Sequence, residues 1–481
     1  MKETKALAAV LTALLLVPLA ASALAEGGPT NVVIRDEQGR EIVPGGYVAI
    51  TEDGKGTIQY SPDDYRRMVR MGANFQVIRT ALGRLGGWPG KEADPTYLGQ
   101  LDAMVRMGRE AGLKTVFKLV VYDLRPFGNE QWDALWRNSG GSQDALMAAW
   151  NKVWIRYKDE PSVFGYDLLN EPQRGLDADY ERCCREHLLP TLRRLADAMH
   201  AVSPGKWALY QPLFLNQEDR VKGVNPFVPM KEPFGRDRVI YAPHLYHMDL
   251  PLMTNTLDAY AREAALSHAP LLIGEWGPAT PLAADDDPKK QARYTKVYQA
   301  TAHALDQRGI GAIKAWFCGT RTPLTSKAQP APFTWAIFSD TDAVGHVERK
   351  YITDALARPR PLAVAGRLER YGYDFATRTL EVSLKPDAEL GGTVIFVPMD
   401  RFYPDGFRVE VGLGLVLALK PGDAQLRTVK FADETSREQA RLVHWDADSQ
   451  HIVVKKWIVA APGLTVKIAP MTEPATLPTR P

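Results

Sequence analysis

Eight apolar runs of strand length, separated by segments of helical period, are the feature that most restricts what this chain can become. The runs fall at 46–51, 75–80, 115–122, 163–169, 207–211, 239–242, 270–274 and 312–317. Helical periodicity occupies 61–71, 97–111, 143–157, 179–202, 256–267, 289–308 and 347–356. The boundaries carry their own chemistry. Ser61 is placed to cap a helix whose first turn holds Pro62, Asp63 and Asp64, and Gly112 and Gly309 stand where two helices must stop. A strand followed by a helix returns the chain to start a parallel neighbour. Eight strands, mostly with a helix between, predict an α/β fold, a closed (β/α)8 TIM barrel. A doubly wound open sheet is the structural alternative, but no glycine-rich phosphate loop supports it.

The period changes after Arg358-Pro359-Arg360-Pro361, which reads as a linker. Beyond it, short runs alternate apolar with polar residues between Gly, Pro and Asp, with no competing helical period. A small C-terminal β-sandwich is predicted over 359–470, after a catalytic barrel over 26–358. The Pro- and Thr-rich tail, 471–481, is expected to be disordered. Near the N-terminus, residues 32–43 suggest a hairpin turning at Gln38-Gly39. At the start of the chain Lys2 and Lys5 precede an apolar run over 6–20, and Ala23-Leu24-Ala25 offers a cleavage site. Residues 1–25 therefore read as a signal peptide, and the mature protein is expected to be secreted or periplasmic. Cys183, Cys184 and Cys318 form no disulfide framework and no metal-ligand spacing. A net charge of +2 gives no electrostatic reason to bind nucleic acid.

In a barrel of this kind the chemistry collects where strands end. Strand two ends at Arg79, strand four at Asn170-Glu171-Pro172, and strand five at Gln211. Strand six leads into His244-Leu245-Tyr246, strand seven into Glu275-Trp276-Gly277, and strand eight carries Trp316. The ends of strands four and seven face each other across a closed barrel. Glu171 and Glu275 thus form a carboxylate pair without metal ligands around it, the arrangement used for glycoside hydrolysis, and no cofactor is expected. Arg79 would keep one carboxylate ionised, His244 and Tyr246 would orient the pair, Asn170 would bond a sugar hydroxyl, and Trp316 would stack on the ring. Each has a plainer alternative: Arg79 as a structural ion-pair partner, His244 as a core histidine, Trp316 as barrel filling.

This ordered set resembles glycoside hydrolase family 5, a retaining family of clan A. The stretch Met71-Gly72-Ala73-Asn74 leading to Arg79 is similar to that family's second strand. Within the family, residues 165–172 (GYDLLNEP), 241–246 (YAPHLY) and 271–277 (LLIGEWG), with a sandwich after the barrel, are similar to endoglycoceramidases. The resemblance implies Glu171 as acid/base and Glu275 as nucleophile of a double displacement. It also marks a departure. Endoglycoceramidases end strand three in Asp-x-His, where this chain has Lys118 and Val120. Tyr122 or Asp123 is then the candidate for the missing sugar contact.

Three activities fit: cleavage of a glycan from a lipid or other aglycone, endo-hydrolysis of a β-glucan or mannan, and glycan binding without catalysis. Retention of both glutamates argues against the last. The expected partner is a glycan or glycolipid, met by a monomer in transient contact with a membrane surface. Trp132, Trp136, Met248, Leu250, Leu252, Met253, Phe333 and Trp335 lie on loops after strands three, six and eight, and suggest either an apolar wall for an aglycone or lids packed on themselves.

Overall fold

The computed structural model describes residues 32–50, 60–124, 127–221, 224–318, 333–338, 347–458 and 463–471. The segment read as a signal peptide, 1–25, and the C-terminal tail from 472 onward lie outside the described residues. The inner sheet is built from β1 (Gly45–Ile50), β2 (Phe75–Ala81), β3 (Lys114–Val120), β4 (Val163–Asp167), β5 (Trp207–Tyr210), β6 (Val239–Tyr241), β7 (Leu272–Trp276) and β8 (Gly311–Lys314). β6 resumes after a break as His244–Leu245, which pairs in parallel with Glu275 and Trp276 of β7. A parallel bridge from Tyr241 to Leu271 and the pairing of β8 with β1 close the ring. The predicted barrel is what forms.

The strands start and stop within a few residues of the predicted runs. The difference that bears on the site is at β7, expected over 270–274 and found at Leu272–Trp276, so Glu275 lies inside a strand rather than after it. The helix expected over 256–267 begins earlier, as Leu250–Leu266, because the Asp249 side chain accepts the Leu252 N–H and Pro251 suits the first turn. The Asn129–Trp136 helix after β3 was not expected from the sequence.

Alternation sets what fills the ring. Val48, Val77, Val116, Leu209, Ile240, Ala242, Leu272 and Ile313 point inward and form one apolar layer. Phe75 and Phe164 meet edge to face in the same layer, 5.1 Å between centroids. Gly165 is required beside them, since a Cβ there would come within 2.3 Å of the Trp207 carbonyl oxygen. Ile34, Ile42 and Ala363 join this layer at the end of the barrel where the strands begin.

The C-terminal region forms two antiparallel sheets with an apolar core between them. Thr393–Phe396 pairs with Arg360–Val364 and with His451–Val454 in one sheet, and Thr379–Pro386 pairs with Gly366–Asp374 and with Leu464–Pro470 in the other. Two readings are corrected here. A helix, Glu434–Ala440, does occur, capped by Asp433 accepting the Ser436 N–H at 2.8 Å, and it is too short for a period to show. The segment read as a linker is packed. Arg358 and Arg360 are only 6% and 4% exposed, and Arg360 begins a strand that also pairs with the N-terminal strand Glu41–Ile42. Prolines 359 and 361 suggested a spacer, but proline also suits a strand whose amide is not needed. Arg360 donates to the carbonyls of Val43 and Gly72, so the segments leading into β1 and β2 share a hydrogen-bonded seam with the sandwich.

Arg358 forms a buried two-point pair with Asp306 of the helix Pro288–Gln307, tying barrel to sandwich. Removing one member strands a charge that the fold has desolvated. Arg358→Met is expected to lower stability by about 3–5 kcal/mol, and adding Asp306→Asn to recover part of that loss, as measured by urea unfolding.

Candidate active site

One inward position above the apolar layer, the strands turn polar. Lys118 lies two residues after Val116, Asp167 two after Gly165, Gln211 two after Leu209, and His244 two after Ala242. The sheet register places Arg79, Lys118 and Asp167 side by side on β2, β3 and β4. Period-two geometry therefore collects one polar layer from five or more strand ends.

The turn after β4 is held from both sides. The Leu168 N–H donates to the Leu209 carbonyl at 3.0 Å and the Asn170 N–H to the Leu119 carbonyl at 2.9 Å. The Trp150 indole N–H donates to the Leu168 carbonyl. Glu171 then takes a left-handed backbone conformation, φ 46°, rare for an L side chain. Its N–H donates to Gln211 Oε1 at 3.0 Å, while Gln211 Nε2 donates to Asp167 Oδ2 at 2.7 Å. Gln211 is fully buried, with both amide ends engaged. It supports the Glu171 turn from beneath instead of opening on the cleft as a sugar contact.

Glu171 and Glu275 are linked through side chains from the strand-six extension. His244 Nδ1 lies 2.8 Å from Glu171 Oε1 and 3.3 Å from the Tyr246 hydroxyl, and that hydroxyl donates to Glu275 Oε2. On its other oxygen Glu275 accepts from Lys118 Nζ at 2.9 Å. Burial alone would raise the Glu275 pKa. The Lys118 ammonium and the hydrogen bonds from Tyr246 and Lys118 outweigh it and hold the carboxylate well below its ordinary value. Asp167 behaves oppositely. Burial pushes its carboxyl up to about 6 despite the nearby Lys118 and the Gln211 bond. Two carboxylates at one level of the barrel are thus driven apart by their surroundings.

Arg79 places its guanidinium carbon 5.5 Å from the centre of the Trp316 ring. Trp316 packs partly against the barrel's apolar layer, and its ring lies 5.4 Å from that of Trp335. Trp335 lies 6.2 Å from Tyr246 in turn, so three aromatic side chains run along this side of the site. Asn170 is buried next to Glu171. Tyr122 begins a short turn, Tyr122–Leu124, and its side chain lies outside the described residues. Asp123, the other substitute considered, accepts the Arg84 N–H at 3.0 Å and braces the loop after β2. Trp132, Trp136 and Met253 are buried, with Trp132 stacked on Trp136 and the Trp136 indole donating to the Gln173 carbonyl, so these loop residues pack on the protein itself. Met248, Leu250 and Leu252 remain partly exposed. Among the described residues no group of three or more His, Cys, Asp or Glu side chains could hold a metal ion.

The description "Cellulase (glycosyl hydrolase family 5)" matches residues 59–317, and "Glycoside hydrolase family 5 C-terminal domain" matches 358–455. The chain belongs to glycoside hydrolase family 5. Members of that family are O-glycosyl hydrolases, and retention of anomeric configuration is general among them. Endoglycoceramidase I of Rhodococcus hoagii (strain 103S) is 28% identical over 340 residues, covering 64% of this chain and 59% of that protein. The chain thus spans 59% of that relative's length. Among solved structures, endo-glycoceramidase II from Rhodococcus sp. in its ganglioside GM3 complex superposes with a TM-score of 0.65 at 20% identity, over 92% of this chain and 100% of that one. Endogalactoceramidase gives 0.65 at 16% identity, over 91% and 98%. These likenesses show the same fold for this family 5 member.

Lys118 and Asp167 were not among the candidate residues from sequence, and Trp335 was grouped only with loop packing. The signal for the first two was present: each continues the inward alternation of its strand at the level of Gln211 and His244. Trp335 had none, because the short strand Phe333–Thr334 brings it in by pairing with Thr280–Pro281 after β7.

Tyr246→Phe removes one hydrogen bond made to the ionised form of Glu275. The Glu275 pKa is expected to rise by about one unit, from the loss of about 1.5 kcal/mol. The acid limb of kcat/KM should then move to higher pH, as a pH–rate profile on an aryl glycoside would show.

Proposed function

We propose that this chain is an exported, monomeric retaining β-glycosidase that releases a glycan from a lipid or other hydrophobic aglycone. The observation that carries the chemistry is the His244–Tyr246 link between Glu171 and a Glu275 held ionised. Glu275, as the anion, attacks the anomeric carbon, while Glu171 gives its proton to the departing glycosidic oxygen. The bond to the aglycone breaks and a glycosyl ester forms on Glu275. Glu171, now a carboxylate, takes a proton from water as that water attacks the same carbon and frees Glu275. This sequence goes with a carboxylate separation of about 5 Å. Asn170 is assigned to the hydroxyl next to the anomeric carbon, Trp316 to the face of the sugar ring, and Arg79 to the charge of the site beside it.

Two observations support a lipid-linked substrate. The curated relative is named an endoglycoceramidase, and exposed apolar side chains gather on loops at the catalytic end of the barrel. Leu176 follows β4, and Val221 and Val224 follow β5, with 59%, 63% and 52% exposure. The loops touch, since Asn216 Nδ2 donates to the Gly175 carbonyl and Arg174 pairs with Asp219. Exposed apolar groups clustered at one end suit transient contact with a membrane surface. Among the described residues no helix is long and apolar enough to cross a membrane. Export rests on the charged and apolar N-terminal segment.

Purified protein is to be offered glycosphingolipids, aryl β-glycosides and soluble β-glucans, with the product anomer read by NMR. Release of intact glycan from the lipids with retention is expected, whereas turnover of β-glucans alone would replace the lipid assignment with a polysaccharide one. Glu275→Gln is expected to fold and to lose essentially all turnover. Glu171→Ala is expected to regain activity with azide on substrates with good leaving groups, and failure to do so in a folded variant counts against the acid/base role.

A further inference from the structure

The departure on strand three has a physical consequence at the centre of the site. Lys118 is 1% exposed, and its ammonium lies 2.9 Å from Glu275 Oε1, 3.0 Å from His244 Nε2, 3.3 Å from the Gly274 carbonyl and 3.6 Å from Asp167 Oδ2. An ammonium has three hydrogens and no acceptor. It lies between the carboxyl groups of Glu275 and Asp167. Its contact with His244 therefore has one polarity: Lys118 donates and Nε2 accepts. The single proton of the neutral ring must then sit on Nδ1, the atom 2.8 Å from Glu171 Oε1. The Tyr246 hydroxyl, 3.3 Å from the same Nδ1, gives its own proton to Glu275 and faces the ring with a lone pair.

We propose that Lys118 is a positioning residue that fixes His244 in its Nδ1–H tautomer, so that His244 donates to Glu171 Oε1 and the transferable proton of Glu171 is confined to Oε2. This rests on Glu171 being the acid/base. With Oε1 accepting from the ring, the acidic proton is carried on Oε2. In the opposite tautomer Nδ1 would accept, and the Glu171 proton would be drawn to the ring instead. Around Lys118 stand Arg79 from β2, Asp167 from β4, Glu275 from β7 and His244 from the strand-six extension, with Glu171 and Tyr246 beyond the ring. Removing the lysine takes away the donor that holds Nε2 as an acceptor.

The test reads the tautomer directly. In the full-length protein labelled with 15N-histidine, His244 is assigned by the signals missing from His244→Gln. A protonated, pyrrole-type Nδ1 with a pyridine-type Nε2 at neutral pH is expected. A protonated Nε2, or both nitrogens protonated, overturns the proposal. In Lys118→Met the pyridine-type signal is expected to be lost, and kcat to fall about 10²-fold or more on a substrate with a poor leaving group, where acid catalysis matters most. The loss on an activated aryl glycoside should be at least tenfold smaller, and the acid limb of kcat/KM should move to higher pH. Equal losses on both substrates with an unchanged pH profile would reduce Lys118 to a structural group and overturn the proposal. Lys118→Arg, which also only donates, should keep the tautomer. If Lys118→Met does not fold, the wild-type and Lys118→Arg spectra decide the question. Because those spectra need no substrate, a wrong tautomer sinks the Lys118 inference alone, whereas absent azide rescue in Glu171→Ala sinks the acid/base reading.

Discussion

Every second residue of a barrel strand points inward, and a closed ring gives those residues nowhere else to go. That constraint divides the interior into levels. At the lower level Val77, Val116, Leu209 and Ile240 meet and exclude water. One step higher the same alternation offers Lys118, Asp167, Gln211 and His244, which could not be desolvated singly. They are tolerated because the ring brings them together, so each charge and each buried donor finds a partner across the barrel. The apolar level is thus the floor of the polar one, and the site exists because the strands change character at one height.

The polar level works as a connected system. Gln211 joins Asp167 to the Glu171 amide, Lys118 joins Asp167 to Glu275 and His244, and His244 with Tyr246 leads back to Glu171. The strained Glu171 backbone is held by this ring of bonds and by the neighbouring strands. Environment gives one carboxylate the character of a standing anion and another, Asp167, that of a group titrating at about 6. Chemically similar side chains at one level thereby differ in how readily they ionise.

The sandwich enters through the same economy of buried polar groups. Arg358 and Arg360 answer Asp306 and two backbone carbonyls at the base of the barrel, and Ile42 and Ala363 close the barrel's lower end. The C-terminal sheets therefore brace the end of the barrel away from the candidate site, and the N-terminal strand Glu41–Ile42 belongs to them by pairing. A proline-arginine repeat looks like a spacer in one dimension and is a structural seam in three.

The sequence by itself determined the barrel, the sandwich after it, and the pair Glu171 and Glu275. Periodicity and strand-end position are local properties, and each carboxylate followed its own apolar run. The His244–Tyr246 pair was legible for the same reason. What the linear pattern could not carry is partnership across the ring. Lys118 looked like a missing aspartate until β3 was placed opposite β7, 2.9 Å from Glu275. Gln211 looked like a sugar contact until burial turned both its amide ends inward. Trp335 had no place until a two-residue strand paired with the segment after β7. Those contacts depend on closure of the sheet, a long-range event whose geometry no short window of sequence contains, and only the tertiary structure decided them.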